Sequence, residues 1–483
     1  MQDTTGDRGD AAGSTEQQDP AKQSYWQPAA EGTVPASPVG TTIPTAVGPP
    51  SPPPPVTPVD FTFGGSTPLQ PATGAKAGNG RHRLLGVVGA VAVLGAGAAV
   101  SVSLAAGGTS AANSPGEAVT NLLSSAQHSD VLGMLDSLDP AERDALKSGI
   151  TSLVGQLQRL DVLSSSTNLS NVSGLYVQFH DVTTRADMLR PDLADVFITG
   201  GTATAQVNAA QLPLGGFTRS VAGDALGPTH QLSTTSGISS GQSPIVTVKE
   251  GDNWYVSLGY TIAENARRAL GASMPSAGQA VPAVGSSSPE AAVRGFLDSV
   301  AAFDVTGMIR ATPPEELAAL HQYAPLFVSS AQAALDQAKA HASVTIDSLD
   351  LAAVPQSDGS QLVQIKRLGF TVVVDGRLTV QVAGGCAHIT DSSDPTADQT
   401  VCPDQSSNFA GLPPDIQQLL QRVRDAHPAE GIVAVQEGGQ WYVDPVRTVF
   451  TDVDDLLATL GPNDLTAIRN AIGQFSLGLP SSG

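Results

Sequence analysis

Basic and aromatic residues are scarce in this 483-residue chain. Lys and Arg number 24 against 45 Asp and Glu, a formal net charge of −21, and that balance argues against any role that rests on neutralising phosphates, so nucleic acid is excluded as a partner. No Lys/Arg cluster of the kind that holds anionic headgroups is present either. The eight histidines are scattered, with no H-x-x-x-H spacing, and there are two cysteines, Cys386 and Cys402. Cys386, His388 and Cys402 give three potential zinc ligands and no fourth cysteine. Asp391, Asp394 and Asp398 share a loop but lack the spacing of an EF-hand. No metal or cofactor is expected. Tryptophan occurs three times, at Trp26, Trp254 and Trp441.

Glycine (50) and proline (35) are abundant, too many for one compact core, and they are unevenly spread. Residues 1–80 contain "VGPPSPPPPVTPV" and few apolar residues; such a segment cannot bury enough surface to offset its ordering entropy, and reads as a disordered Pro-rich tail with polyproline II character. A cytoplasmic partner or kinase recruited by its prolines or threonines is the sharper reading of the same segment.

Residues 84–106 then run without a charge, and at about 1.5 Å per residue they are long enough to cross a hydrocarbon core of about 30 Å. Lys76, Arg81 and Arg83 precede the span and the next Lys or Arg is Arg143, so the positive-inside bias puts the N-terminus in the cytoplasm and the chain beyond the span outside. The expectation is a single-pass protein of the cell membrane. A cleaved signal peptide would need an n-region far beyond the usual length. Gly95, Ala99 and Ser103 fall on one face at four-residue spacing, which would let two spans pair in a homodimer.

Past the span the chain repeats. "SPGEAVTNLLSSAQHSDVLGMLDSLDPAERDAL" (114–146) aligns without a gap on "SPEAAVRGFLDSVAAFDVTGMIRATPPEELAAL" (288–320), offset 174, with 14 of 33 positions identical where random matching gives about two or three. Each copy begins with Ser-Pro, an N-cap followed by proline at the first helical position. The matched Asp130 and Asp304 read as caps of a second short helix. Pro140 and Pro314 begin a third, running to about residue 163 and about residue 340.

Segments rich in Val, Thr, Tyr and Phe come next, with tight turns at "DGR", "EGD" and "EGG". Each copy closes on Trp-Tyr-Val, in "EGDNWYVSL" (250–258) and "EGGQWYVDP" (437–445), at an offset of 187. The second copy has therefore gained 13 residues, in an interval that holds both cysteines and the helical stretch "LPPDIQQLLQRVRDAH". A Cys386–Cys402 disulfide stapling that insertion suits an oxidising compartment outside the cell. Trp254 and Trp441 are expected to anchor the two cores, with the tyrosine of each motif on the opposite face.

Helices first, then an antiparallel sheet, is the α+β pattern. With "S-P-x-x-A-V…F-L…D" opening and "G-x-W-Y-V" closing each copy, the chain resembles the NTF2-like (cystatin-like) superfamily. The likeness is greatest to the membrane-anchored or secreted actinobacterial versions, over about 112–270 and 286–448. The resemblance implies two cone-shaped domains with curved sheets and a pocket between helices and sheet, a scaffold that serves enzymes, binders and interaction modules alike. Residues 271–287 read as a linker, and 450–475 as C-terminal helices with no counterpart in the first copy.

Catalytic residues are not found. No aligned carboxylate and phenol face each other in both copies, as isomerase-type members require. "GISSG" around Ser239 matches G-x-S-x-G, but a strand comes after it where a nucleophile elbow needs a helix. The expected function is extracytoplasmic binding or interaction without catalysis, with a protein or an apolar ligand as partner, in envelope biogenesis or sensing. A pocket enzyme or lipid carrier in one copy, and a scaffold working through the tail, are the alternatives.

Overall fold

The computed structural model describes residues 112–222, 231–237, 243–374, 376–383, 386–392, 398–401, 414–425 and 431–477. The tail (1–80), the apolar span (84–106), Ser239, Asp394 and Cys402 lie outside the described residues. Among those described, no helix is long and apolar enough to cross a membrane.

The first half opens with α1 (Pro115–Gln127), α2 (Val131–Asp136) and α3 (Pro140–Arg159). Ser114 starts α1 as expected, its Oγ accepting from the Glu117 N–H at 3.3 Å, and Asp130 starts α2 by accepting from Gly133 N–H at 2.8 Å. Each cap satisfies a backbone donor that has no intrahelical partner, a contribution of about 1 kcal/mol. Val119, Leu122, Leu123 and Ala126 place the buried stripe of α1 against the sheet.

That sheet is antiparallel and five-stranded: β1 (Leu175–Arg190), β2 (Leu193–Asn208), β3 (Gln231–Gly237), β4 (Ile245–Glu250) and β5 (Asn253–Val256), in the order β1-β2-β4-β5, with β3 also on β2. A helix α4 (Gly216–Ala222) stands between β2 and β3. The β1–β2 ladder shifts register between His180 and Thr183, where Asp181 takes a positive φ. Such a bulge bends a long strand pair, so the sheet curls over α1. After β5 comes α5 (Leu258–Ala269), capped by Ser257.

The second half presents the same order. Its helices are α6 (Pro289–Ala301), capped by Ser288, α7 (Val305–Arg310), capped by Asp304 onto Gly307 N–H at 2.9 Å, α8 (Ala318–Tyr323) and α9 (Val328–Lys339). The single third helix expected from Pro314 to about residue 340 is not formed. Residues 314–317 are a turn, and a 3₁₀ turn at Ala324–Leu326 separates α8 from α9. Pro325 has no N–H to continue the ladder, and its ring crowds the preceding turn.

The second sheet contains β6 (Ser343–Pro355), β7 (Gln361–Val373), β8 (Arg377–Ala383), β9 (Cys386–Asp391), β10 (Gln399–Val401), β11 (Gly431–Glu437) and β12 (Gln440–Val443). Its order is β10-β9-β8-β7-β11-β12, with β6 on β7. In each sheet one long strand, β2 or β7, pairs along its length with its predecessor and on its other edge with two shorter strands. The β9–β10 hairpin and the helix α10 (Pro414–Asp425) fall in the interval where the sequence gained residues.

After β12 come α11 (Pro445–Thr459) and α12 (Pro462–Leu477). The sequence pattern leaves every C-terminal helix unmatched and begins them at 450. The structure corrects both points: α11 starts at 445, and it succeeds β12 as α5 succeeds β5, at the same offset of 187. Only α12 has no counterpart among the described residues of the first half.

Candidate functional site: the junction of the two halves

The halves are joined by the helices that succeed the Trp-Tyr-Val strands. α5 of the first half packs on α8 of the second, and α11 of the second packs on α3 of the first. At the first contact the Tyr323 ring enters a cluster with Tyr260, Leu193, Val246 and Val248, beside the small Ala263. At the second, Phe450 of α11 lies on Gly149 of α3, where a Cβ would overlap its ring. By the sequence offsets, Gly149 matches Tyr323 and Ala263 matches Phe450. The large ring comes from α8, which precedes the second sheet, at one contact and from the post-strand helix α11 at the other, so the two equivalent contacts are filled from opposite partners.

Polar groups show the same exchange. Glu264, buried on α5, accepts from Arg267 Nε (2.7 Å), Arg268 Nε (2.8 Å) and Tyr323 Oη (2.9 Å), while Arg268 also reaches the buried Asp195 of β2. Burial alone would raise the Glu264 carboxyl; together the hydrogen bonds from Arg267, Tyr323 and Arg268 hold it below its ordinary range. Asp195 is pushed up to about 6, by burial first, with Arg268 opposing and Glu264 adding. At the other contact Arg159 of α3 donates to the carbonyls of Leu460 (2.7 Å) and Leu457 (2.5 Å), satisfying the end of α11, and Ser152 Oγ donates to Asp454 at 2.6 Å.

A carboxylate from the helices before the sheet stands near the start of each post-strand helix, but only the first receives its donors. In the first half Glu142 of α3 accepts from Ser257 Oγ (2.6 Å), Leu258 N–H (2.7 Å) and Gly259 N–H (3.0 Å). Ser257 in turn accepts from Tyr260 N–H at 3.0 Å, so its hydroxyl is used in both directions. Burial raises the Glu142 carboxyl, against the pull of these three donors. This corner touches the second half, because a Cβ on Gly259 would stand 3.3 Å from Ala319 of α8.

In the second half Glu316 and Asp444 stand where Glu142 and Ser257 stand in the first. Pro445 occupies the place of Leu258 and has no N–H to give. Asp444 caps α11 by accepting from Arg447 N–H at 2.8 Å, and its carboxylate replaces the serine hydroxyl as neighbour of the glutamate. Arg447 Nε approaches Asp444 Oδ2 at 2.8 Å without hydrogen-bond alignment and Glu316 Oε2 at 3.7 Å; Glu316 Oε1 has no partner. Burial raises both carboxyls and the Asp444 charge raises Glu316 further, with Arg447 opposing. Both carboxyls are thereby biased toward the protonated form.

A groove of about 760 Å3 opens beside this pair, between α3 and the β6–β7 turn. Asp144, Lys147, Ser148, Thr151, Ser152, Ser357, Asp358 and Arg447 line it. Arg447 Nη1 donates to Asp358 Oδ2 (3.1 Å) and the Asp144 carbonyl (3.3 Å), and Lys147 pairs with Asp136 at 2.9 Å. Glu316 and Asp444 are not among the lining residues, and Arg447, which is, approaches both. The groove's side chains are polar, and its charges are paired: Arg447 with Asp358, Lys147 with Asp136 and Asp144 with Arg143.

Of the residues singled out in the sequence, Trp254 is buried in the first core, its N–H donating to the Ala112 carbonyl at 2.8 Å. Trp441 makes the matching bridge to Ser286, 2.9 Å in both directions, but is only half-buried. The tyrosine faces are covered as well. Tyr255 packs in the α5–α8 cluster, and Tyr442 is buried under the linker, where Gly285 comes so close that a Cβ would meet Tyr442 Cζ at 2.7 Å. Cys386 begins β9 and is disulfide-bonded; Cys402, its expected partner, lies outside the described residues. His388 pairs with Asp398 at 3.4 Å and with Thr400 Oγ1 at 3.0 Å on the β9–β10 hairpin. Among the described residues no group of three or more His, Cys, Asp or Glu is arranged to hold a metal.

The carboxylate corner was missed in the sequence, although Glu142 and Glu316 form one of the identical columns of the repeat. A matched acid in the first turn of a helix reads as ordinary dipole compensation until its partner strand is known. No family model, no curated protein and no solved structure matches the chain.

Proposed function

We propose that the chain is a membrane-anchored, extracytoplasmic binding or interaction protein, in which an apolar span over 84–106 carries a rigid head of two NTF2-like repeats, 112–270 and 286–448. The observation behind the reading is the reciprocal exchange at the junction, α5 on α8 and α11 on α3. Two units of matching strand order, fastened through equivalent helices, are what a duplicated domain held as an internal pair would look like. A head built so presents surfaces from both halves at a fixed geometry, which suits recognition. Glu142 and Asp444 are committed to helix starts and Glu316 stands beside Arg447 outside the groove lining, so no catalytic role is assigned to them. Reporter fusions placed before Arg81 and after Ser114 test the topology. A cytoplasmic signal from the first and an extracytoplasmic one from the second is expected; a cytoplasmic signal from the second ends this reading.

A second reading, a small-molecule site, is favoured by the groove at the junction. Its lining would take a polar ligand and not a lipid, because no apolar side chain lines it. Chemical-shift changes at Ser148 and Ser357 on adding small polar molecules are the expected sign, and unchanged shifts across such a panel would remove it.

A further inference from the structure

The corner where the halves meet gathers carboxyl groups from both. Asp139, Glu142 and Glu250 come from the first half; Glu250 stands at the end of β4, as Glu437 stands at the end of β11. Glu315, Glu316, Glu437 and Asp444 come from the second. Glu315 links the two sets: its N–H donates to Glu437 Oε2 at 3.0 Å, while its charge acts on both Asp139 and Glu250 across the junction. Tyr260, on α5, feels the Asp139 charge as well. Three cations face this group: Arg143 beside Glu250, Arg447 beside Glu316 and Asp444, and Arg190, which with Asp192 acts on Tyr260. Arg447 is shared further with Asp358 and the Asp144 carbonyl.

Three oxygens in the cluster accept no hydrogen bond: Asp139 Oδ1, Glu316 Oε1 and Asp444 Oδ2, in residues 6%, 7% and 0% exposed. A buried carboxylate oxygen without a donor is tolerated when it carries a proton and is costly when it is charged.

We propose that this corner is a proton-dependent latch between the halves: protonated, the carboxyl cluster lets α5 and α8 close on each other, and stripped of its protons it pushes them apart. The neighbouring contact through Glu264, Arg267, Arg268 and Tyr323 is fully paired and keeps the halves joined in both states. Loosening is therefore local, at the helix starts near Ser257 and Asp444. In support, Asp139 is held up to about 8, by burial first and then by Glu142, Glu250 and Glu315, and Glu437 is held up to about 6, chiefly by burial. Both groups thus exchange protons close to neutrality.

Hydrogen–deuterium exchange on the full chain in detergent, corrected for the intrinsic pH dependence of the chemistry, tests the latch at pH 5.5 and pH 8.5. Backbone amides of 257–261 and 445–449 are expected to exchange at least about fivefold faster at the higher pH, while those of 118–123 in α1, which carry no titratable side chain, stay unchanged. Glu316→Gln together with Asp139→Asn should flatten the difference. Should the double variant fail to fold, Glu316→Gln alone, which leaves no donor unmet, should at least halve the difference at 445–449. Equal protection of the two helix starts at both pH values in the unmodified chain overturns the proposal, as does a variant that keeps the full pH response.

Discussion

Glu142 and Glu316 occupy the same place in the two halves and meet opposite surroundings. Glu142 faces three donors, two of them backbone amides at the start of α5. Glu316 faces a second carboxylate, and the proline at 445 has removed the amide that would have answered it. One position thus serves as a satisfied helix anchor in one half and as a strained acid pair in the other. The lesson is that a shared backbone frame does not fix the electrostatics of a site; the residues that open the next helix do. The rings at the junction teach the same about packing, since Tyr323 comes from α8 at the α5–α8 contact and Phe450 comes from α11 at the α11–α3 contact.

The comparison can be broken most forcefully at the two tryptophans. Trp254→Ala is expected to cost about 3–5 kcal/mol, the range for a large buried aromatic, whereas the half-buried Trp441 should cost about half as much when changed to Ala. Equal losses in denaturant melts would mean that the two cores are equally dependent on their closing strand, against the burial seen here. Next in size is Gly149→Val, which forces a side chain into the Phe450 ring and should cost about 1–3 kcal/mol. Adding Phe450→Leu to it should recover part of that loss, and a strictly additive double variant would show that the two do not share a space. Tyr323→Phe removes the hydroxyl that reaches Glu264 across the junction, with an expected loss of about 1.5 kcal/mol.

The dependence on pH should be gentler and has a definite sign. Asp139 is held up to about 8, and Asp195 and Glu437 each to about 6. A carboxyl whose folded value lies above its unfolded one contributes stability that is fully present below about pH 4 and is lost as pH rises through the folded value. Glu264 and Asp358 are held below their ordinary range, so their contribution is lost only in stronger acid. Stability measured by chemical denaturation should therefore decline from about pH 5 to about pH 8. A rise over that window would mean that the cluster is better compensated than Arg143 and Arg447 allow.

How far the fold could be read in the sequence depended on whether the deciding interaction was local. Ser114, Asp130, Ser288 and Asp304 announced their helices because a cap acts within three residues, and the Trp-Tyr-Val strands announced their hairpins by turn chemistry. The break at Pro325 was visible in principle, but helical periodicity on both sides hid it. The match between α5 and α11 was not legible. Each packs on a different helix, so "LGYTIAENARRA" and "PVRTVFTDVDDLLAT" have kept an amphipathic face and little else. The junction was beyond reach for the same reason, because Glu264 and Tyr323, or Gly149 and Phe450, are brought together only by the docking of whole halves.

Thermal melts of two single variants, Glu142→Gln and Glu316→Gln, side by side at pH 7.5, test most directly the claim that one position has two opposite surroundings. In the first half the new amide must turn its NH2 toward an N–H or O–H donor, and the melting temperature should fall; in the second it can donate to Asp444, and the melting temperature should hold or rise. Opposite outcomes of that kind are the account's expectation. A fall of similar size in both variants would contradict it, for it would mean that Glu316, like Glu142, is held by donors as a charged anchor.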